Sequence, residues 1–521
     1  MRRKGIFWLK LAVFLCLLAG LMNLTGTLLD SGDDIMQAAS ALNHLPRNSV
    51  DVFWLGTSHF HMGVVPQHLY DAYGITSTMV TGNAIGLIAT YWELYEALLR
   101  QDPKVVVLDV YPAAAPYCYH YVANAIALGL ASEYPDGNTA FNTATGLARW
   151  LPLGSPVKPA AIVDLFLTQR IADESVLQIA RLHSRYGDID RSSFRYLWGE
   201  NRLTQSFGYM YSNETLTEDR INRRAYTQEA ALETYENGFF WTFTDEQLDE
   251  VRLLDTTVEA LDRIVSLCQS RDLPLVLYAT PYMANDAERI QFEAVARYCQ
   301  ERGISWVEGP EALASPEFLR DIGHLNHEGA IAHTDFWGQY LQAHYDLPDR
   351  RLSDDARYAP WRDNAGSDDQ LHTATCLANV FEASEYVRQA ATLGEDYLIF
   401  VSAEGAMGEG ATEALFDLLR DTLGLSSDAF ETWRAARDGT FSAIVRGGEV
   451  LQARYAAQGL DYTLSLDGFL VRFMGGGGTV QWTVDGARAG HGLEGLSFSV
   501  YSLLDESLIQ FGTFDMSLPA A

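Results

Sequence analysis

DVFWLGTSHFHMGVVP, residues 51–66, is an apolar run that stops at Gly56 and passes at once to Thr57, Ser58 and His59. A strand that is apolar without alternation belongs in a parallel sheet covered on both faces, since both sides of its pleat are then buried. Ligands of such sheets bind beyond the carboxyl ends of the strands. A glycine followed by two hydroxyls and a histidine therefore stands where a cleft opens.

The flanking chain repeats the pattern. AIGLIATYWELYEALLRQ has helical spacing, PKVVVLDVY reads as a fully buried strand, and LDTTVEALDRIVSLCQSRDLPLVLYATPY reads as a helix and a strand. AERIQFEAVARYCQERG, ISWVEG and HEGAIAHTDFWGQYLQAHY continue as helix, strand and helix. Strands alternating with helices indicate an α/β fold with a parallel sheet. Between about 112 and 249 the pattern gives way to polar, aromatic-rich and mostly helical sequence, read as an insertion over the carboxyl edge.

With 521 residues, 48% of them apolar, the chain exceeds what one core supports, and two folded units are expected. The boundaries fall at 50–346 for the first unit, 347–370 for a charged, Pro-containing linker and 371–521 for the second. The second unit reads as a small α+β or β-sandwich-like module, with strands at FSAIVRGG, YTLSLDG, TVQWTVDG and LSFSVYSLL. No helix with Lys-Ser/Thr follows Gly475–Gly478, so that run reads as a turn or bulge and not as a phosphate loop.

Thirty-seven Lys and Arg against 68 Asp and Glu give a net charge of −31, which repels phosphate backbones and argues against nucleic acid as a partner. The five cysteines form no CxxC and no Cys/His cluster at metal spacing, and no motif calls for a metal or cofactor. Arg2, Arg3 and Lys4 precede an apolar stretch to Leu29, interrupted chiefly by Lys10 and Asn23. Residues 1–29 are expected to be a cytoplasmic tip and one transmembrane signal anchor, with a cleaved signal peptide as the alternative; residues 30–49 form a stalk, and the rest lies outside the cell membrane.

Ser58 on the turn after the first strand becomes a nucleophile if a base is near, and otherwise merely caps the next segment together with Thr57. FLRDIGHLNHEGA places Asp321 three residues before His324, just ahead of the last helix. On a tight loop this spacing lets the carboxylate accept the Nδ1 hydrogen of the imidazole, leaving Nε2 free to take a proton from a serine. His59 and His61 read as wall or lid residues, His327 and His333 as structural or solvent-facing. Asp109 reads as a hydrogen-bond acceptor for loop backbone.

Gly56-Thr57-Ser58 after the first strand, with Asp321-x-x-His324 before the last helix, resembles the SGNH (GDSL-type) hydrolase superfamily. Within it the chain is similar to membrane-anchored relatives of the teichoic-acid D-alanylation protein D and polysaccharide O-acetyltransferase type. GTSHFHMGVVPQHLYDAYG, YWELYEALLRQDPKVVVLDVY, HLNHEGAIAHTDFWGQYL and YDLPDRRL carry the likeness over about residues 50–352. The resemblance implies a flavodoxin-like three-layer fold, Ser58 as nucleophile, His324 as general base and acid, and Asp321 as its orienting partner. It also implies an oxyanion hole using Gly82 and Asn83 of VTGNAIG, with Gly86 as a rival. LDVYPAAAP stands where the family has a G-x-N-D block, so the third donor is missing from its usual place. DYLIFVSAEGAMGEGATEALFDLLRDTLGL and the stretch from Trp482 to Asp515 resemble the interleukin-like EMT inducer domain of FAM3-type secreted proteins, which implies carbohydrate or partner recognition.

The expected activity is thus an extracytoplasmic serine esterase or O-acyltransferase acting on acyl, most simply acetyl, groups of a cell-surface polysaccharide or teichoic-acid-like polymer. A multi-pass membrane acyltransferase is the implied donor partner. The alternative is a non-catalytic carbohydrate-binding or scaffold protein on a vestigial hydrolase fold.

Overall fold

The computed structural model describes residues 2–29, 40–82, 85–114, 155–169, 201–217, 255–284 and 286–517, together with 189, 193–194, 198–199 and 253. Most of the expected insertion, much of the stalk and Asn83 lie outside the described residues. The chain divides into two compact units, Met1–Ala365 and Gly366–Ala521.

Unit 1 is built on five strands: β1 (Val52–Gly56), β2 (Ser77–Thr81), β3 (Val105–Asp109), β4 (Leu275–Ala279) and β5 (Ser305–Glu308). They lie in the order β2-β1-β3-β4-β5, every neighbouring pair parallel. That is one of the two common doubly wound orders, and it puts all five carboxyl ends on one edge. Every residue of β1, β2 and β3 is buried. Phe53 and Leu55 enter one core with Val106, Leu108 and Leu277, while Val52 and Trp54 enter another with Val107, Val276 and Tyr278. Both faces of the sheet are therefore covered, the physical reason its strands are apolar throughout.

The first face packs on α4 (Leu87–Ala97), α5 (Asp255–Gln269) and α6 (Asp286–Arg302). The second packs on α3 (Pro66–Tyr73) and α7 (His327–His344). On α7, His333 donates Nδ1–H to Gly63 O at 2.6 Å and accepts at Nε2 from Trp337 Nε1, 3.2 Å away, and from Tyr278 Oη. Burial lowers this imidazole to about 4, so it is a neutral core strut.

The charged stretch after α7 is packed on unit 1, and the division between the units falls within the expected linker. Unit 1 runs to Ala365. Arg350 forks onto buried Asp51 at 2.6 and 2.8 Å, and fully buried Trp361 stacks on Phe207 with ring centroids 4.7 Å apart. Buried Trp361 and Tyr358, the Arg350–Asp51 pair and the donations of Arg351 to Asp71 O and of Arg357 to Asn48 O hold the segment.

At the N-terminus α1 (Arg2–Leu29) is a single helix of 28 residues. Among the described residues no helix is long and apolar enough to cross a membrane, so the expected transmembrane span is not supported. Several apolar side chains of α1 are nonetheless bare: Phe7, Trp8, Leu9 and Leu17 are each more than half exposed.

Unit 2 pairs an antiparallel five-stranded sheet with an antiparallel four-stranded one. In the larger sheet Ile399, Val401 and Ala403 of one strand face a helical layer, and Leu398 and Phe400 of the same strand face Phe473 and Trp482 of the smaller sheet. The glycine run ends one strand at Gly476 and turns through Gly477 and Gly478, at φ 67° and 86°, into the next. A type I′ hairpin turn needs positive φ at both central positions, which explains the glycines.

Candidate active site

Gly56 is required by its neighbour. Its φ is 138°, and a Cβ there would lie 2.8 Å from Asp109 Cβ on the adjoining strand. Gly56→Ala adds backbone strain to that overlap and is expected to destabilise unit 1 by on the order of 2–5 kcal/mol. Urea unfolding of the variant checks this; a loss below about 0.5 kcal/mol, the range of an ordinary surface substitution, would show that the turn accommodates a side chain.

Thr57 follows in extended conformation and caps the short helix α2 (Ser58–His61), accepting from His59 N–H at 3.4 Å. Its hydroxyl donates to Asp109 Oδ2 at 2.6 Å. Phe60 is fully buried against Trp54 and Tyr278, at centroid distances of 5.3 and 5.9 Å, which pins α2 to the sheet. Ser58 is thus presented, half-buried, at the carboxyl edge.

The other half of the site is a hairpin of β6 (Leu319–Asp321) and β7 (His324–Leu325) just before α7. Asp321 Oδ1 accepts from Gly323 N–H at 2.9 Å and His324 N–H at 3.1 Å, closing the turn on itself. Asn326 caps α7 by accepting from Gly329 N–H at 2.9 Å and donates to Glu317 O at 2.7 Å, which fixes the hairpin's exit. His324 Nδ1–H points at both oxygens of Asp321, 2.9 and 3.0 Å away, and Ser58 Oγ–H meets Nε2 at 2.8 Å. Burial alone would raise Asp321. The hydrogen bond and charge of His324, with Gly323 N–H and Arg320, override it and hold the carboxyl at about 2. The ionised carboxylate fixes Nδ1 as the protonated nitrogen and leaves Nε2 as acceptor. Ser58, His324 and Asp321 are therefore in one hydrogen-bonded line across 266 residues of chain.

The oxyanion donors are less complete. The Ser58 amide opens α2 and so has no partner within that helix. Gly82 lies beside it at the end of β2, but its N–H is donated to Gly56 O at 3.3 Å, not into the cleft. Asn83 lies outside the described residues. Gly86 is the N-cap position of α4. In the LDVYPAAAP stretch, β3 ends at Asp109 and a helical turn, Tyr111–Ala114, follows; it holds no side-chain amide.

The remaining candidates divide clearly. His59 is 3% exposed, with its ring centroid 4.0 Å from Tyr111, 4.9 Å from Tyr282 and 5.5 Å from His324: a wall of the site. His61 is fully buried, and burial takes it down to about 4. His327 is also buried and pairs with Tyr209 Oη at 3.0 Å, so neither His327 nor His333 faces solvent. Asp109 collects Thr57, Thr280 and the Tyr111 N–H, a network that sequence reasoning missed except for its backbone part. Among the described residues no group of His, Cys, Asp and Glu could hold a metal ion.

No family model and no curated protein matches the chain. Among solved structures it was matched to the crystal structure of Zn(II)-bound AdcA from Streptococcus pneumoniae at 10% identity, over 90% of this chain and 97% of that one, with a TM-score of 0.14.

Proposed function

We propose that this protein is a serine esterase or O-acyltransferase of the SGNH (GDSL-type) kind, with a flavodoxin-like first unit, acting outside the cytoplasm on acyl groups of a cell-surface polysaccharide or teichoic-acid-like polymer. The observation that carries the reading is the hydrogen bond between Ser58 Oγ and His324 Nε2, 2.8 Å long, backed by Asp321. In this reaction Nε2 takes the Ser58 proton as Oγ attacks the ester carbonyl. The tetrahedral oxyanion is held by the Ser58 amide and by whatever donor the Gly82–Asn83 loop supplies. Collapse returns the proton from Nε2 to the leaving alkoxide and leaves an acyl-Ser58. A sugar hydroxyl or water, deprotonated in turn by His324, then accepts the acyl group. Whether transfer or hydrolysis prevails depends on how well the cleft excludes water.

Attachment to the cell membrane is part of the proposal; the basic tip Arg2, Arg3 and Lys4 and the exposed apolar side chains of α1 support it. A multi-pass membrane acyltransferase would then deliver the acyl donor. Unit 2, like the interleukin-like EMT inducer domain it resembles, would bind carbohydrate or a partner. A second reading, a non-catalytic scaffold, is favoured by one specific observation: the Gly82 amide is already donated to Gly56 O.

The two readings part on covalent labelling. A fluorophosphonate probe is expected to label the protein at Ser58, and Ser58→Ala to abolish the label. Labelling at another residue, or none at all on folded protein, overturns the enzyme.

A further inference from the structure

Asp109 performs no step in that reaction, yet three donors converge on it. It is fully buried at the end of β3, the strand beside the nucleophile turn. Thr57 Oγ1 donates to Oδ2 at 2.6 Å, Thr280 Oγ1 to Oδ1 at 3.2 Å, and Tyr111 N–H to the same Oδ1 at 3.1 Å. Thr57 immediately precedes Ser58 and caps its helix, so the carboxyl stands one hydrogen bond and one residue from the nucleophile. Burial raises the carboxyl, while the Thr57 and Thr280 hydroxyls, the Thr57 backbone N–H and the His324 charge lower it; burial prevails, leaving the group at about 7.

The groups that face Asp109 are few. His59 of α2 has Nδ1 4.0 Å from Oδ2, and that nitrogen has no hydrogen-bond partner. Burial first, then the His324 charge, keeps His59 neutral. Tyr278 comes from β4 and is itself raised, mainly by burial and then by Asp109. His324 faces it from β7, its positive form favouring the ionised carboxylate.

We propose that Asp109 is an ionisable positioning residue: as a carboxylate it holds Thr57 and hence the Ser58 turn, and when it takes up a proton that hold is released toward His59. The inference rests on the reading of Ser58 and His324 given above. Its chemistry is a matter of counting hydrogens. Donors on every side and no acceptor suit a carboxylate; a protonated acid adds one more hydrogen among them. Neutral His59, with its ring hydrogen on Nε2, offers the lone pair of its unpaired Nδ1 as the acceptor at hand. Protonation therefore draws Oδ2 toward His59 and away from the N-cap. The sign is definite. A carboxyl raised to about 7 is mostly protonated below that pH, so the hold is complete at higher pH and lost as pH falls through 7. Stability runs the other way, falling as pH rises from the ordinary aspartate value of about 3.9 to 7 and levelling off above, because the ionised group is the costly one to bury.

The test is the pH profile of p-nitrophenyl acetate hydrolysis from about pH 5 to about pH 9, for wild type and Asp109→Asn, with fluorophosphonate labelling alongside. Wild type is expected to lose activity on the acid side with two protons, up to about a hundredfold per pH unit, and the variant with one, about tenfold, at unchanged KM. Thr57→Val, which removes only the hydroxyl, should show the same single-proton limb and serves if Asp109→Asn does not fold. Identical acid limbs in wild type and both variants overturn the inference alone. A folded wild type that neither labels nor turns over overturns the enzyme reading and this inference with it.

Discussion

His324→Ala is expected to lower p-nitrophenyl acetate turnover by about 10⁴-fold or more while the protein stays folded. Without the imidazole no other described residue within hydrogen-bond reach of Ser58 Oγ takes its proton, and an un-ionised hydroxyl is a poor nucleophile. His59 is no substitute: its Nδ1 is turned toward Asp109, and its ring centroid lies 5.5 Å from that of His324. Folding should survive because the His324 side chain is 27% exposed and sits on a hairpin held by backbone N–H groups on Asp321. Steady-state turnover and a thermal melt of the same preparation check both halves. Activity within about tenfold of wild type, on an intact fold, would remove His324 from the reaction.

The same site shows which part of such a reading sequence can supply. Strand β1 and the stop at Gly56 are visible because burial on both faces demands an unbroken apolar run and because hydroxyls break it. The Asp321–His324 spacing is visible because both partners are local, and the loop reading turned out to be a two-strand hairpin. What is not visible is direction. Gly82 was assigned to the oxyanion hole by its place in the chain, but the extension of the β1–β2 register sends its N–H to Gly56 O. Asp109 was legible as a strand end; its side-chain partners Thr57 and Thr280, 52 and 171 residues away, were not.

Burial that depends on one anchor is equally hard to foresee. Residues 347–365 are charged and proline-broken, which is linker chemistry, yet Trp361 disappears against Phe207 and Ser77 O accepts its indole N–H at 3.3 Å. In unit 2 the strands Thr440–Arg446, Leu460–Leu466, Thr479–Val484 and Gly495–Ser502 follow the apolar runs of the sequence. Their partners, such as Glu449–Ala456 and Ala487–Leu493, keep many side chains in water and carry charge or glycine, so pairing alone defines them.

Asp321→Asn is expected to lower turnover by about 10⁴-fold, close to the effect of losing His324 itself, with KM little changed. The substitution is nearly isosteric, and an amide oxygen can still accept from Gly323 and His324 N–H, so the hairpin should persist. What changes is the face toward Nδ1. If the amide nitrogen turns there, two donors meet, the imidazole takes the other tautomer, and Nε2 presents a hydrogen to Ser58 where it must present a lone pair. If the amide oxygen turns there, the tautomer survives but the full charge that stabilises the imidazolium is gone. Either way the transition state loses its support, and combining the change with His324→Ala should add almost nothing, since the two groups act as one unit. The variant also separates the two carboxylates by pH. Asp321, held at about 2, contributes stability that is present above the ordinary aspartate value of about 3.9 and is lost as pH falls from there toward 2, the reverse of Asp109. Wild type should therefore lose stability relative to Asp321→Asn only in that acid window. A double variant far slower than either single one, or an acid stability loss the same in both proteins, would show that Asp321 does not act through His324.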